Sequence, residues 1–110
     1  MIKLKSLMLE RRIQLFRGES IYNRNGNFYA TNREQARQYT QSGRDSEIQV
    51  AYIESSKIYK SNPLPFAGNE NEMTVAMQYA TTNGFGAIWA DEGQGEQPSI
   101  FVIDKTKIIK

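Results

Sequence analysis

Cysteine and histidine are both missing from the chain. Their absence removes disulfides, thiol nucleophiles and thiolate metal sites, and also the commonest acid–base group and zinc ligand. Any catalysis must run on carboxylates, hydroxyls, lysine, arginine or the backbone, which favours stabilising charge and positioning substrates over shuttling protons. No Asp-rich loop announces a calcium or magnesium site, so no metal is expected. There is also no apolar run near the ~20 residues that a membrane-spanning helix needs. Met1-Ile2-Lys3-Leu4-Lys5 lacks the apolar block of a secretory signal, so the expected location is the cytoplasm, with no membrane partner.

What remains is one domain's worth of chain. With 110 residues and 39% hydrophobic content, residues 1–110 can build one core and not two. The formal charge of +2 hides segregation: residues 1–17 carry +4, residues 18–60 carry +1, residues 61–104 carry −6 with no lysine or arginine, and residues 105–110 carry +3. Basic ends suit an acidic ligand such as a nucleotide, whereas the acidic stretch argues against a surface uniformly suited to nucleic acid.

Leu4, Leu7 and Met8 have helical spacing, while Ile13-Gln14-Leu15-Phe16-Arg17 alternates as a strand and ends at Gly18. Asn23-Arg24-Asn25-Gly26-Asn27 predicts a turn into a short strand, Phe28-Tyr29-Ala30. Thr31 and Glu34 fit a capping box, predicting a helix of two to three turns to near Gly43. Glu47 to Ile53 reads as a central strand covered on both faces. Ile58-Tyr59 extends briefly, and the prolines at 63 and 65 force a loop over 60–68. Asn69-Glu70-Asn71-Glu72 opens a helix whose inward stripe is Met73, Ala76, Met77 and Ala80, widened by Val75 and Tyr79, with Asn83-Gly84 at its end. Strands at 85–90 and 99–103 form a hairpin over a polar, Gly-rich loop, and 105–109 is expected to close the sheet. Trp89 is assigned to the core.

Leu15-Phe16-Arg17-Gly18, then Asn27-Phe28-Tyr29-Ala30-Thr31 opening a helix with Ala36 and Tyr39, resembles the first half of ADP-ribosyltransferases. Asn83-Gly84-Phe85-Gly86-Ala87-Ile88 followed by Ser99-Ile100-Phe101-Val102-Ile103-Asp104 and Ile108 resembles the ending of small phage-encoded members, including anti-CRISPR proteins built on that fold. The resemblance covers roughly residues 13–110. It implies a compact α+β domain with mixed or antiparallel sheets and two to three helices. It further implies a mono-ADP-ribosyltransferase that consumes NAD to modify a host protein or a nucleic acid, as a phage or mobile-element counter-defence factor in the host cytoplasm. A protein target is favoured, with nucleic acid the alternative.

Carried over by residue, Arg17 and Gly18 match the NAD-binding end of the first strand, and Tyr29, Thr31 and Tyr39 match the nicotinamide pocket. Ala30 stands where a serine or threonine is usual. Gln94-Gly95-Glu96 resembles the family's Gln/Glu-X-Glu signature, making Glu96 the catalytic carboxylate and Gln94 the residue that orients the acceptor. Alignment on the Phe101–Asp104 strand puts Gln97 or Ser99 at that position instead. A guanidinium can contact the diphosphate of NAD, and a carboxylate can offset the positive charge that builds on its ribose. The rival reading is a non-catalytic protein of the same fold that inhibits a partner stoichiometrically, with tyrosines 22, 29, 52 and 59 as a binding surface.

Overall fold

Alternating apolar positions generate two sheets and leave one long helix to cover them. The computed structural model describes residues 11–19, 26–40, 42–44 and 47–110. The expected helical face at Leu4, Leu7 and Met8, the turn residues Asn23 to Asn25, and Tyr22 lie outside the described residues.

β1 (Arg12–Gly18) pairs antiparallel with β3 (Ile48–Glu54) in a two-stranded sheet. A second sheet of four strands runs in the order β2 (Phe28–Tyr29), β6 (Ser99–Val102), β5 (Ala87–Ala90), β4 (Ile58–Tyr59). Pairing is antiparallel except between β4 and β5, which are parallel and joined by a crossover containing a helix. Helix α1 (Arg33–Arg37) follows β2, and helix α2 (Glu70–Thr82) lies between β4 and β5. The fold is α+β, with two sheets and two helices among the described residues.

Side-chain alternation sorts β5 and β6 onto two faces. Ala87, Ile100 and Val102 join Leu15 and Ile53 in a fully buried cluster between the two sheets. Ile88 and Ala90 face the other way, onto Met73, Ala76 and Ala80 of α2. Each large aliphatic side chain in such a core contributes about 1.5–3 kcal/mol through burial. A third, smaller cluster of Phe16, Ala30, Ala36 and Ile48 seats α1 against the end of β1.

Five sequence expectations are corrected by the structure. Asn32, not Thr31, caps α1, its side chain accepting from the Gln35 amide at 2.8 Å. The helix stops at Arg37 instead of running to Gly43, because the chain turns through Tyr39 and Thr40, whose amides bond to the carbonyls three residues back. Among the described residues β3 has only β1 as a strand partner, supplemented by a bridge from Tyr52 to Ile109, and Tyr52 is left exposed. Residues 105–107 form a 3₁₀ turn in place of a strand, because the Asp104 side chain caps it through Thr106. In α2 the inward stripe is narrower than its spacing suggested, for Val75 is 67% exposed and Tyr79 52% exposed. Trp89 is partly buried against the core, with the Lys60 ammonium 5.7 Å from its ring centre.

Candidate functional site

Where the two sheets meet, β1 is held from both sides. Phe16 pairs with Val50 of β3, and it also exchanges two backbone hydrogen bonds with Ala30, at 2.9 and 2.7 Å. The end of β1 is thereby fixed against the strand that begins at Phe28. Gly18 allows α1 to approach closely, since a Cβ there would lie 1.9 Å from the Ala36 carbonyl oxygen. This junction opens into a cleft of about 630 Å³, a size usual for small-molecule sites.

Arg17 borders this cleft while being only 7% exposed. Its Nη1 donates to the Phe28 carbonyl at 2.7 Å, its Nε lies 3.5 Å from the Glu19 carboxylate, and its guanidinium sits 5.9 Å from the centre of the Tyr29 ring. Gly26 makes room for it, because a Cβ there would stand 2.4 Å from Nη2. Burial pushes the Tyr29 phenol above its ordinary pKa; the Arg17 charge opposes this and Glu19 reinforces it.

The opposite wall comes from the β5–β6 hairpin. Glu92 lies two residues beyond β5 and accepts a hydrogen bond from the hydroxyl of Ser99, which opens β6 and is 3% exposed. The loop between them folds back through three left-handed residues, Gly93 (φ 77°), Gln94 (φ 53°) and Gly95 (φ 76°). Glycine adopts this region without penalty, so two glycines around Gln94 permit a turn that returns the chain to Ser99. Gln35 of α1 braces the hairpin by donating to the Gln97 carbonyl at 3.3 Å.

Of the site residues read from sequence, Arg17, Gly18, Tyr29 and Tyr39 line the cleft. Thr31 lies outside its lining and is partly exposed. Gln94 and Glu96 sit exposed at the hairpin tip, also outside the lining. Glu96 still reaches the site electrostatically, for the Tyr39 phenol is pushed up first by burial, then by Glu92 and Glu96. Ser99, one of the two alternatives that the resemblance leaves for a catalytic position, lines the cleft, and the carboxylate beside it belongs to Glu92.

Glu92, Gln35 and the aromatic rings of Phe28 and Phe66 were not singled out in the sequence. Glu92 sits in a polar loop whose composition announces solvent, and only the left-handed turn brings it back to Ser99. Among the described residues no cluster of three or more acidic side chains is arranged to hold a metal ion, and no helix is long and apolar enough to cross a membrane. Comparison of the chain with protein-family models, with curated proteins and with solved structures returns no match.

Proposed function

We propose that the cleft binds NAD and that the protein is a mono-ADP-ribosyltransferase, with a protein as its favoured target. One observation carries this reading. A guanidinium from β1 and a carboxylate from the β5–β6 hairpin, those of Arg17 and Glu92, border the same hollow of about 630 Å³.

The residues present suit such a ligand. Arg17 places positive charge in a largely apolar wall, where its attraction for a diphosphate is screened less than in water. Rupture of the bond between nicotinamide and ribose builds positive charge on the sugar, and a fixed carboxylate offsets it. Glu92 is the carboxylate in position for that role, held by the Ser99 hydroxyl, whereas Glu96 projects at the tip. No imidazole or metal is required. The family resemblance favours a phage or mobile-element counter-defence factor acting in a host cell.

The test is incubation of the protein with labelled NAD and host extract, following label transfer and nicotinamide release. Glu92→Gln is expected to abolish both signals on the order of a hundredfold or more, as removal of one transition-state charge partner does, while Glu96→Gln keeps most of them. A folded wild-type protein that neither binds NAD nor releases nicotinamide refutes the reading.

A second reading rests on a different observation. α2 leaves Val75 and Tyr79 exposed beside Tyr59, whose ring lies 4.7 Å from that of Tyr79. An apolar face of this kind favours a stoichiometric inhibitor that covers a partner's surface. Tight binding that survives Glu92→Gln but is lost in Tyr79→Ala would select it.

A further inference from the structure

We propose that the basic residues gathered where β1 begins, β3 ends and the 3₁₀ turn at 105–107 returns to β3 form a docking surface for the phosphate backbone of nucleic acid, separate from the cleft. The inference goes beyond the nucleotide reading above and does not depend on it.

Backbone bonds bring these distant segments together. The Ser55 amide donates to the Arg11 carbonyl at 2.8 Å, and Arg12 stands opposite Glu54 in the β1–β3 register. A 3₁₀ turn, Ser55–Lys57, carries the chain to Lys57, whose carbonyl accepts from the Gly86 amide at 2.8 Å. Gly86 lies against the stem of Lys107, for a Cβ placed there would stand 2.8 Å from the Lys107 Cγ. Beyond Lys107, Ile109 and Tyr52 exchange two backbone hydrogen bonds of 2.7 Å, which leads back to β3 and Glu54. The contacts close a ring, so both basic ends of the sequence meet on one part of the surface.

Arg11, Arg12, Lys105 and Lys110 are exposed on this ring, and Lys57 and Lys107 are partly exposed. Glu54 and Asp104 are the carboxylates among the same described segments, which leaves an excess of four positive charges, six less two, in a chain whose whole formal charge is +2. None of the six cations lines the cleft. Like charges held together repel one another, and a polyanion relieves that repulsion while releasing its own counterions.

The chemistry of the surface selects among polyanions. A basic surface that binds a bilayer also buries apolar side chains among the headgroups. Of the large apolar side chains exposed among the described residues, the patch holds Tyr52, whose hydroxyl accepts from the Gln14 amide nitrogen at 3.4 Å. Cations drawn from several segments, without such a wedge, suit the regularly spaced phosphates of a nucleic acid, and contacts of this kind bind without reading sequence.

The experiment follows fluorescence anisotropy of labelled single-stranded RNA, single-stranded DNA and duplex DNA, each about twenty nucleotides long, against the whole chain. Phosphatidylserine–phosphatidylcholine vesicles and polyglutamate serve as the competing polyanions. With about four phosphates neutralised, affinity should fall roughly 50- to 150-fold between about 50 and 200 mM salt. Lys57→Gln/Lys107→Gln should weaken binding on the order of tenfold and lower the salt slope by about 1 to 2. Lys105→Gln/Lys110→Gln, which leaves the packing at Gly86 intact, should do the same, whereas Arg33→Gln/Arg44→Gln removes equal charge from exposed positions elsewhere and should bind as wild type. Denaturant melts confirm that each variant is folded.

A folded wild type that binds no oligonucleotide overturns the inference, and so does equal weakening in Arg33→Gln/Arg44→Gln. Tighter binding to the vesicles or to polyglutamate than to any oligonucleotide overturns it in favour of a membrane or an acidic protein. Nicotinamide release from NAD should be unchanged in both lysine variants. Nucleic-acid binding by a wild type that releases no nicotinamide leaves this surface standing while the transferase reading falls, and release without nucleic-acid binding does the reverse.

Discussion

Replacing Arg17 by methionine removes the guanidinium fork and keeps most of the apolar stem. The hydrogen bond to the Phe28 carbonyl, the proximity to Glu19 and the contact with the Tyr29 ring go with it. A hydrogen bond from a charged donor contributes about 1.5–3 kcal/mol, and a cation held over an aromatic ring adds about 0.5–1 kcal/mol. The side chain is almost fully enclosed, so little of this is screened away. Removing the cation also takes the positive partner from the partly buried Glu19 carboxylate, which adds to the cost.

The expected loss is about 2–4 kcal/mol, a large part of the margin that holds a small domain folded. With a urea dependence of about 1–2 kcal/mol per molar for a chain of this size, the unfolding midpoint should fall by roughly 1–3 M. Arg17→Lys should recover part of this, because a lysine retains the charge near Glu19 but lacks the fork. A midpoint within about 0.3 M of wild type, at unchanged slope, would refute the claim that this guanidinium ties β1 to β2. The result bears on function as well. If Arg17 supports the fold to this extent, lost activity in Arg17→Ala says little about ligand contact, and Glu92→Gln becomes the informative variant.

Gly18→Ala should cost about 1–3 kcal/mol or more in the same assay, because α1 has to lift from β1 to clear a Cβ placed against the Ala36 carbonyl; wild-type stability would show that α1 is free to shift. Asn69→Ala should cost about 1 kcal/mol, since the Asn69 side chain accepts from the amides of Asn71 and Glu72 at the start of α2; no change in midpoint would contradict that cap. The Asp104 carboxyl is held below its ordinary value of 3.8 by the Thr106 hydroxyl and amide and by Lys107. Its folded pKa is the lower one, so its contribution is complete above that ordinary value and disappears as pH falls through the depressed one. Midpoints of wild type and Asp104→Ala should therefore differ at pH 6 and draw together in strong acid, and a constant gap would exclude the linkage. The Tyr39 phenol, followed by NMR on ring-labelled tyrosine, should titrate lower in Glu92→Gln than in wild type while staying above 10.0, since burial is the larger cause and remains; an unmoved titration would place Glu92 too far away to act on it.

Elements with strong local signals were readable before any coordinates. The cap at Asn69, the stripe of Met73, Ala76 and Ala80, and the alternation in β1, β5 and β6 are all written in short-range patterns of side-chain size and polarity. The lack of histidine and cysteine likewise bounded the chemistry from composition alone. Local rules compete where two cap residues adjoin, and Asn32 displaced Thr31 because its side-chain oxygen meets the Gln35 amide. The extent of α1 and the isolation of β3 depended on what packs around them, which propensity does not encode.

The site divides in the same way. Arg17 and Tyr29 lie on or next to strands whose pattern fixes their direction, so their place at the cleft could be anticipated. Glu92 and Phe66 could not be. Each belongs to an irregular segment: left-handed residues turn the loop that carries Glu92, and backbone hydrogen bonds to Asp91 hold the segment that carries Phe66. The sequence by itself settled α2, the strands β1, β5 and β6, the chemical repertoire, and the place of Arg17 and Tyr29 on their strands. Tertiary structure alone decided which carboxylate and which ring border the same hollow as Arg17, because that grouping depends on loop closure between residues far apart in the chain.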